Sequence, residues 1–94
     1  MTYLILGYDG DDEGAPARRA AVRDEHLAGV RPLVDEGRLV IGGAILDEQG
    51  TMRGSMMVLE AQDEAEARRI VEADVYVRAG VWVRWEIHPF RRAV

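Results

Sequence analysis

Four apolar, strand-like runs alternate with two helix-patterned stretches in the order βαββαβ, which predicts a single α+β domain over residues 1–94. Three observations carry that expectation. The first apolar run stops abruptly at Asp9-Gly10, the alanine- and arginine-rich stretch after Pro16 stops at Gly37, and Val81 to His88 concentrates β-branched and aromatic residues ahead of Pro89. The order is that of the ferredoxin-like split βαβ arrangement, in which two helices cover one face of a four-stranded antiparallel sheet.

Thr2 to Tyr8 is short and apolar and reads as a buried strand, followed by an acidic, glycine-rich loop from Asp9 to Gly14. Pro16 suits the first turn of a helix, strong helix formers continue to about Glu36, and Gly37 supplies the stop. Arg38 to Leu46 is a second strand, where Gly42-Gly43 suggests a bulge or a close backbone approach. Asp47 to Arg53 is turn-rich and Gly54 to Glu60 resumes as a strand, so the two form a hairpin. Asp63 followed by Glu66 opens a second helix that runs through Ala73.

In the last strand, strict alternation puts Val81, Val83, Trp85 and Ile87 on one side and Trp82 with Arg84, Glu86 and His88 on the other. The first strand is apolar on both sides, with Tyr3 and Ile5 opposing Leu4 and Leu6. A sheet apolar on both faces with helices for only one predicts a second subunit. Face-to-face pairing of two sheets would give a dimeric α+β barrel, a two-fold homodimer.

The 94 residues are 48% apolar and 31% charged, ordinary for a soluble globular domain. A net charge of −5 argues against nucleic acid as a partner, and the local cluster Arg84, Arg91 and Arg92 is too short to reverse that, reading as a solvated strand edge and tail. With no cysteine there is no disulfide, thiol nucleophile or thiolate metal site. The N-terminus lacks a signal-peptide pattern and no segment reaches a bilayer-spanning length, so the expectation is a cytoplasmic protein without a membrane partner.

The chemistry concentrates on one helix face. At ~100° per residue, Arg19, Val22, Arg23, His26, Val30 and Leu33 share an arc, while Arg18, Asp24 and Glu25 point elsewhere. One reading is a pocket with His26 inside and Arg19 and Arg23 as clamps for an anionic group. The other is two arginines snorkelling along the helix flank beside a core histidine held by a backbone carbonyl. Asp74 bears on the choice, because an acid closing a helix opposes the macrodipole and a nearby cation offsets this. A carboxylate bonded to an imidazole fixes its tautomer and equips it to move a proton near neutral pH. Ser55, opening the third strand, is a possible hydrogen-bond donor to a substrate oxygen, and Tyr76, two residues after Asp74, completes the set of candidate substrate-binding residues. Asp9 reads as a turn residue, able to pair with an arginine. His26 and His88 stand alone as metal ligands, so no metal site is expected, and neither a dinucleotide fingerprint nor a phosphate loop is present. Haem, held through a single axial histidine, is a third reading.

Several pieces together resemble the YciI-like (YCII-related) family. They are the Tyr3 to Asp9 strand, Arg18 to Leu27, Glu36 to Gly43, Gly54-Ser55, Ala73 to Trp82, and the Glu86 to Arg92 ending. The resemblance implies a dimeric α+β barrel and an active site around a His-Asp pair, which falls on His26 and Asp74, with a serine at Ser55 near the pocket. One related branch dehydrochlorinates chlorinated hydroxyquinols, and muconolactone isomerases share the fold. The sequence departs from the family where Val75 replaces a common proline and Gly43-Ala44 a common Gly-Pro pair. Two functions follow as expectations. The first is a cofactor-independent enzyme of isomerase or dehydrochlorinase type, using His26 and Asp74 for proton transfer or elimination on a small oxygenated, possibly cyclic substrate. The second is a non-catalytic dimeric module that binds a small molecule or serves as an accessory domain.

Overall fold

The computed structural model describes residues 1–94 and has the predicted order with one addition. The elements are β1 (Thr2–Asp9), α1 (Ala15–Asp35), β2 (Leu39–Leu46), β3 (Met52–Glu60), α2 (Glu64–Ala73), a one-turn helix α3 (Val75–Arg78) and β4 (Trp82–Pro89). The strands form one antiparallel sheet in the order β2-β3-β1-β4, and the architecture is the ferredoxin-like βαββαβ fold.

Alternation along β1 sets the two faces. Tyr3, Ile5 and Gly7 point under the helices, while Leu4, Leu6 and Tyr8 lie half-buried on the open face. The register carries this across the sheet, with Tyr3 opposite Leu59, Ile5 opposite Met57 and Gly7 opposite Ser55 on the covered side. Ile5, Leu59, Val71, Val81 and Tyr76 are the fully buried anchors of the core. Each such aliphatic side chain contributes about 1.5–3 kcal/mol of burial.

Helix α1 starts without a side-chain cap at Gly14 and relies on Pro16 in its first turn. It ends where Gly37 adopts φ 74°, the left-handed conformation that glycine takes without a Cβ penalty. Pro32 sits inside the helix, close enough to its end that the lost backbone bond involves only its final turns. Helix α2 matches its predicted span: the Asp63 carboxylate accepts from the Glu66 amide at 2.9 Å. Glu66 in turn accepts from the Gln62 amide and the Arg38 guanidinium, tying the helix start to the link between α1 and β2.

Apart from an irregularity at the end of β2, between Ile45 and Leu46, two bulges shift the phase of the strands. One falls at the start of β2, between Leu39 and Ile41, ahead of the glycine pair on which the sequence placed it. Gly42 and Gly43 make no close approach, and a Cβ at Gly43 would meet nothing within 4 Å. The second corrects the expectation for the last strand. Tyr8 pairs with Arg84 but Asp9 pairs with Trp82, so Val83 is the extra residue, 65% exposed. Trp82 therefore lies on the covered face with Trp85 and Ile87, and Val83 leaves it. Gly7 makes room for this, since any Cβ there would fall within the Trp82 indole. On the open face β4 is consequently polar, whereas β1, β2 and β3 present Leu4, Leu6, Ile41, Ile45 and Met56 around a buried Val58. No helix is long and apolar enough to cross a membrane.

Candidate functional site

Helix α1 lies over the covered face antiparallel to β2, and a cleft of about 460 Å³ opens between them. Its inner end is built by α1, the start of β3 and α3: Arg19, Arg23, His26, Ser55 and Tyr76 all line it. All the candidate substrate-binding residues of the sequence therefore meet at one place, with His26 among them.

The His-Asp pair forms. His26 Nδ1 lies 2.8 Å from Asp74 Oδ1, with the two side chains only 12% and 6% exposed. Asp74 does not suffer the helix-end penalty that its position in the sequence suggests. Its backbone is extended (φ −68°, ψ 138°), so it ends α2 and starts α3 at once. The same Oδ1 accepts from the Tyr76 amide at 2.9 Å, as an N-cap does. The carboxylate is thus oriented from two sides, by a backbone amide and by the imidazole. This leaves Nε2 as the ring nitrogen of His26 without a protein partner.

Tyr76 forms the next wall. Its ring stacks on the His26 imidazole at 3.9 Å and 7°, and the Arg19 guanidinium carbon lies 4.7 Å from its centroid on the Arg19 side. Such stacking contributes about 0.5–1.5 kcal/mol and holds the imidazole plane in place. Burial pushes the Tyr76 hydroxyl above its ordinary pKa of 10.0, a rise that the Arg19 and Arg23 charges partly offset. It is a neutral phenol at physiological pH.

Arg19 behaves as neither of the two roles open to it from the sequence. It is 5% exposed, and Nη1 bonds both oxygens of Asp9 at 3.0 Å, a carboxylate whose side chain is 1% exposed. Its Nη2 donates to Ser55 Oγ at 2.7 Å, while Nε has no partner. The charge is neutralised within the protein, so Arg19 is not a free clamp for a ligand anion. Trp82 Nε1 also donates to Ser55 Oγ, at 3.3 Å. The Ser55 oxygen thus accepts twice, and its own hydrogen is what it has left to give. The Trp82 contact escaped the sequence because strict alternation put that indole on the wrong face. The pairing of Asp9 with an arginine, by contrast, follows the sequence expectation.

Arg23 reaches the same cleft with no carboxylate within ion-pairing distance. On the other side of His26 a groove of about 520 Å³ between α1 and α2 reaches Asp74, walled by Val30, Leu33, Ile70 and Val75. His88 is remote from all of this, exposed and bonded to Glu86 at 2.9 Å.

A YCII-related domain matches residues 1–91. The chain belongs to the YCII-related family. It is 33% identical over 98 residues to the protein YciI of Escherichia coli O6:H1, covering 98% of each chain. It is 30% identical over 97 residues to fusaric acid biosynthesis protein 2 of Gibberella moniliformis, covering 95% of this chain and 91% of that one. Among solved structures, this YCII-related chain superposes with a TM-score of 0.85 on the 5-chloro-2-hydroxyhydroquinone dehydrochlorinase of Burkholderia phenoliruptrix, in complex with 2,5-dihydroxybenzoquinone. The two are 26% identical over 99% of this chain and 96% of that one.

Proposed function

We propose that this YCII-related protein is an acid–base enzyme that transfers a proton on, or eliminates a leaving group from, a small oxygenated ring. The observation that carries the reading is the buried His26–Asp74 contact of 2.8 Å at the inner end of a cleft, with Nε2 unpartnered. Asp74 holds the proton of His26 on Nδ1, which makes Nε2 the base. Nε2 takes a proton from a ring carbon or hydroxyl of the substrate. The electron pair of the broken bond enters the ring and either expels the leaving group as an anion or stays as an enolate to be reprotonated. The Ser55 hydroxyl donates to the substrate oxygen on which negative charge builds, and Arg23 adds a positive charge nearby. Arg19 positions Ser55 from behind. The likeness to a dehydrochlorinase of a chlorinated hydroxyhydroquinone supports a hydroxylated, halogenated ring as the first substrate class to try.

The apolar open face formed by Leu4, Leu6, Ile41, Ile45 and Met56 supports the further reading that two copies pair there. Sedimentation of wild type and Ile45→Lys tests it: a dimer in the first and a monomer in the second is the expected result.

The catalytic reading is tested with 5-chloro-2-hydroxyhydroquinone and release of chloride. His26→Ala is expected to lower turnover by roughly 10²–10⁴, and ¹⁵N shifts of the wild-type ring should report the Nδ1–H tautomer. Turnover unchanged in His26→Ala overturns the proposal. Binding of 2,5-dihydroxybenzoquinone that survives His26→Gln, with no turnover in any variant, would instead favour the non-catalytic binding module.

A further inference from the structure

The cleft has a charge pattern opposite to that of the molecule. The chain carries 17 acidic against 12 basic side chains, yet the cleft contains no carboxylate among its lining residues and three arginines with one histidine. Arg19 is neutralised by Asp9, which leaves Arg23 and Arg31, and neither has a carboxylate within 4.0 Å. A cleft lined by one sign of charge concentrates ligands of the other sign.

The two arginines are not at the same place. Eight residues of helix separate them, about 12 Å along the axis at 1.5 Å per residue. Arg23 stands at the inner end with Ser55 and Tyr76, while Arg31 stands over the outer end, where β2 begins. The wall between is apolar and open: Leu27, Val34 and Val40 are each more than 40% exposed, and all line the cleft. A single six-membered ring fills only roughly 150 Å³, about a third of the 460 Å³ available. A ring held at His26, Ser55 and Tyr76 therefore leaves most of the cleft, and Arg31, without a role.

We infer that the ligand of this cleft has two parts, an oxygenated ring at His26, Ser55 and Tyr76 and an apolar arm ending in an anionic group at Arg31. Arg31 is then the specificity-determining residue for the arm and has no part in the proton transfer. This inference rests on the ring occupying the inner end as proposed above.

Isothermal titration with three probes tests it: 2,5-dihydroxybenzoquinone, the same ring bearing a six-carbon chain that ends in a carboxylate, and its terminal-amide analogue. The carboxylate probe is expected to bind tighter than the amide by roughly threefold, the size of a partly exposed ion pair, and less so at high salt. Arg31→Gln should abolish that preference, Arg31→Lys should retain it, and the bare ring should bind all three proteins alike. Equal affinity for carboxylate and amide in the wild type, a preference that survives Arg31→Gln, or no binding of any probe overturns the inference. Because these readouts involve no turnover, an inactive protein that shows the preference would sink the catalytic proposal and leave the two-part ligand standing. Chloride release from a bare-ring substrate without any carboxylate preference would do the reverse.

Discussion

Two buried polar contacts join α1 to the rest of the fold, and they are built to opposite ends. Arg19–Asp9 is closed: both carboxylate oxygens accept from Nη1, Nη2 is engaged by Ser55, and solvent barely reaches either side chain. His26–Asp74 is open: one imidazole nitrogen is used and the other has no protein partner. The residues differ in what they can tolerate. A guanidinium is always charged, so burying it demands a permanent counter-charge, whereas an imidazole can be buried neutral and still trade a proton. The first contact is a strut that fixes Ser55, and the second suits exchange with a ligand.

The sharpest way to break the comparison is Asp9→Ala. It strands a buried guanidinium and should cost about 3–5 kcal/mol in urea unfolding. A loss below 1 kcal/mol would mean that Arg19 escapes to solvent and that the strut is not one. Asp74→Ala should cost less, about 1–2 kcal/mol, because it removes a cap and one imidazole bond but leaves no obligatory charge behind. If the two variants proved equally destabilising, the distinction between strut and tool would fail.

The smallest effect concerns Tyr76, which touches both contacts. Burial raises its pKa above 10.0, so the folded protein keeps that proton longer than the unfolded chain does. The associated stability is intact below pH 10 and is lost as pH rises through the folded value. Tyr3 is raised as well, chiefly by burial, and adds to the same alkaline loss. Thermal melts between pH 9 and 11 should therefore show a decline that Tyr76→Phe makes shallower. An identical decline in that variant would assign the whole effect to other groups.

Much of this layout is legible in the amino-acid order. The span of α2 and its Asp63 cap depend on neighbouring residues only, and so does the end of α1 at Gly37. The convergence of Arg19, Arg23 and His26 follows from helical periodicity. Trp82 was misplaced because alternation presumes an unbroken strand, and the extra residue Val83 arises from pairing with Asp9, far away in the chain. The bulge in β2 likewise fell ahead of the glycines, which serve to leave the cleft wall bare.

The sequence by itself determined the order of the elements, the face of α1 that carries the cations, and the presence of a histidine and an acid available to meet. Those features rest on interactions within a few residues, which the chain encodes directly. Tertiary structure alone decided that Asp74 begins a helix as well as ending one, that Asp9 takes up the charge of Arg19, and that Trp82 turns inward to Ser55. Each of these depends on groups brought together across the sheet, where burial makes an unpaired charge or donor too costly to leave alone.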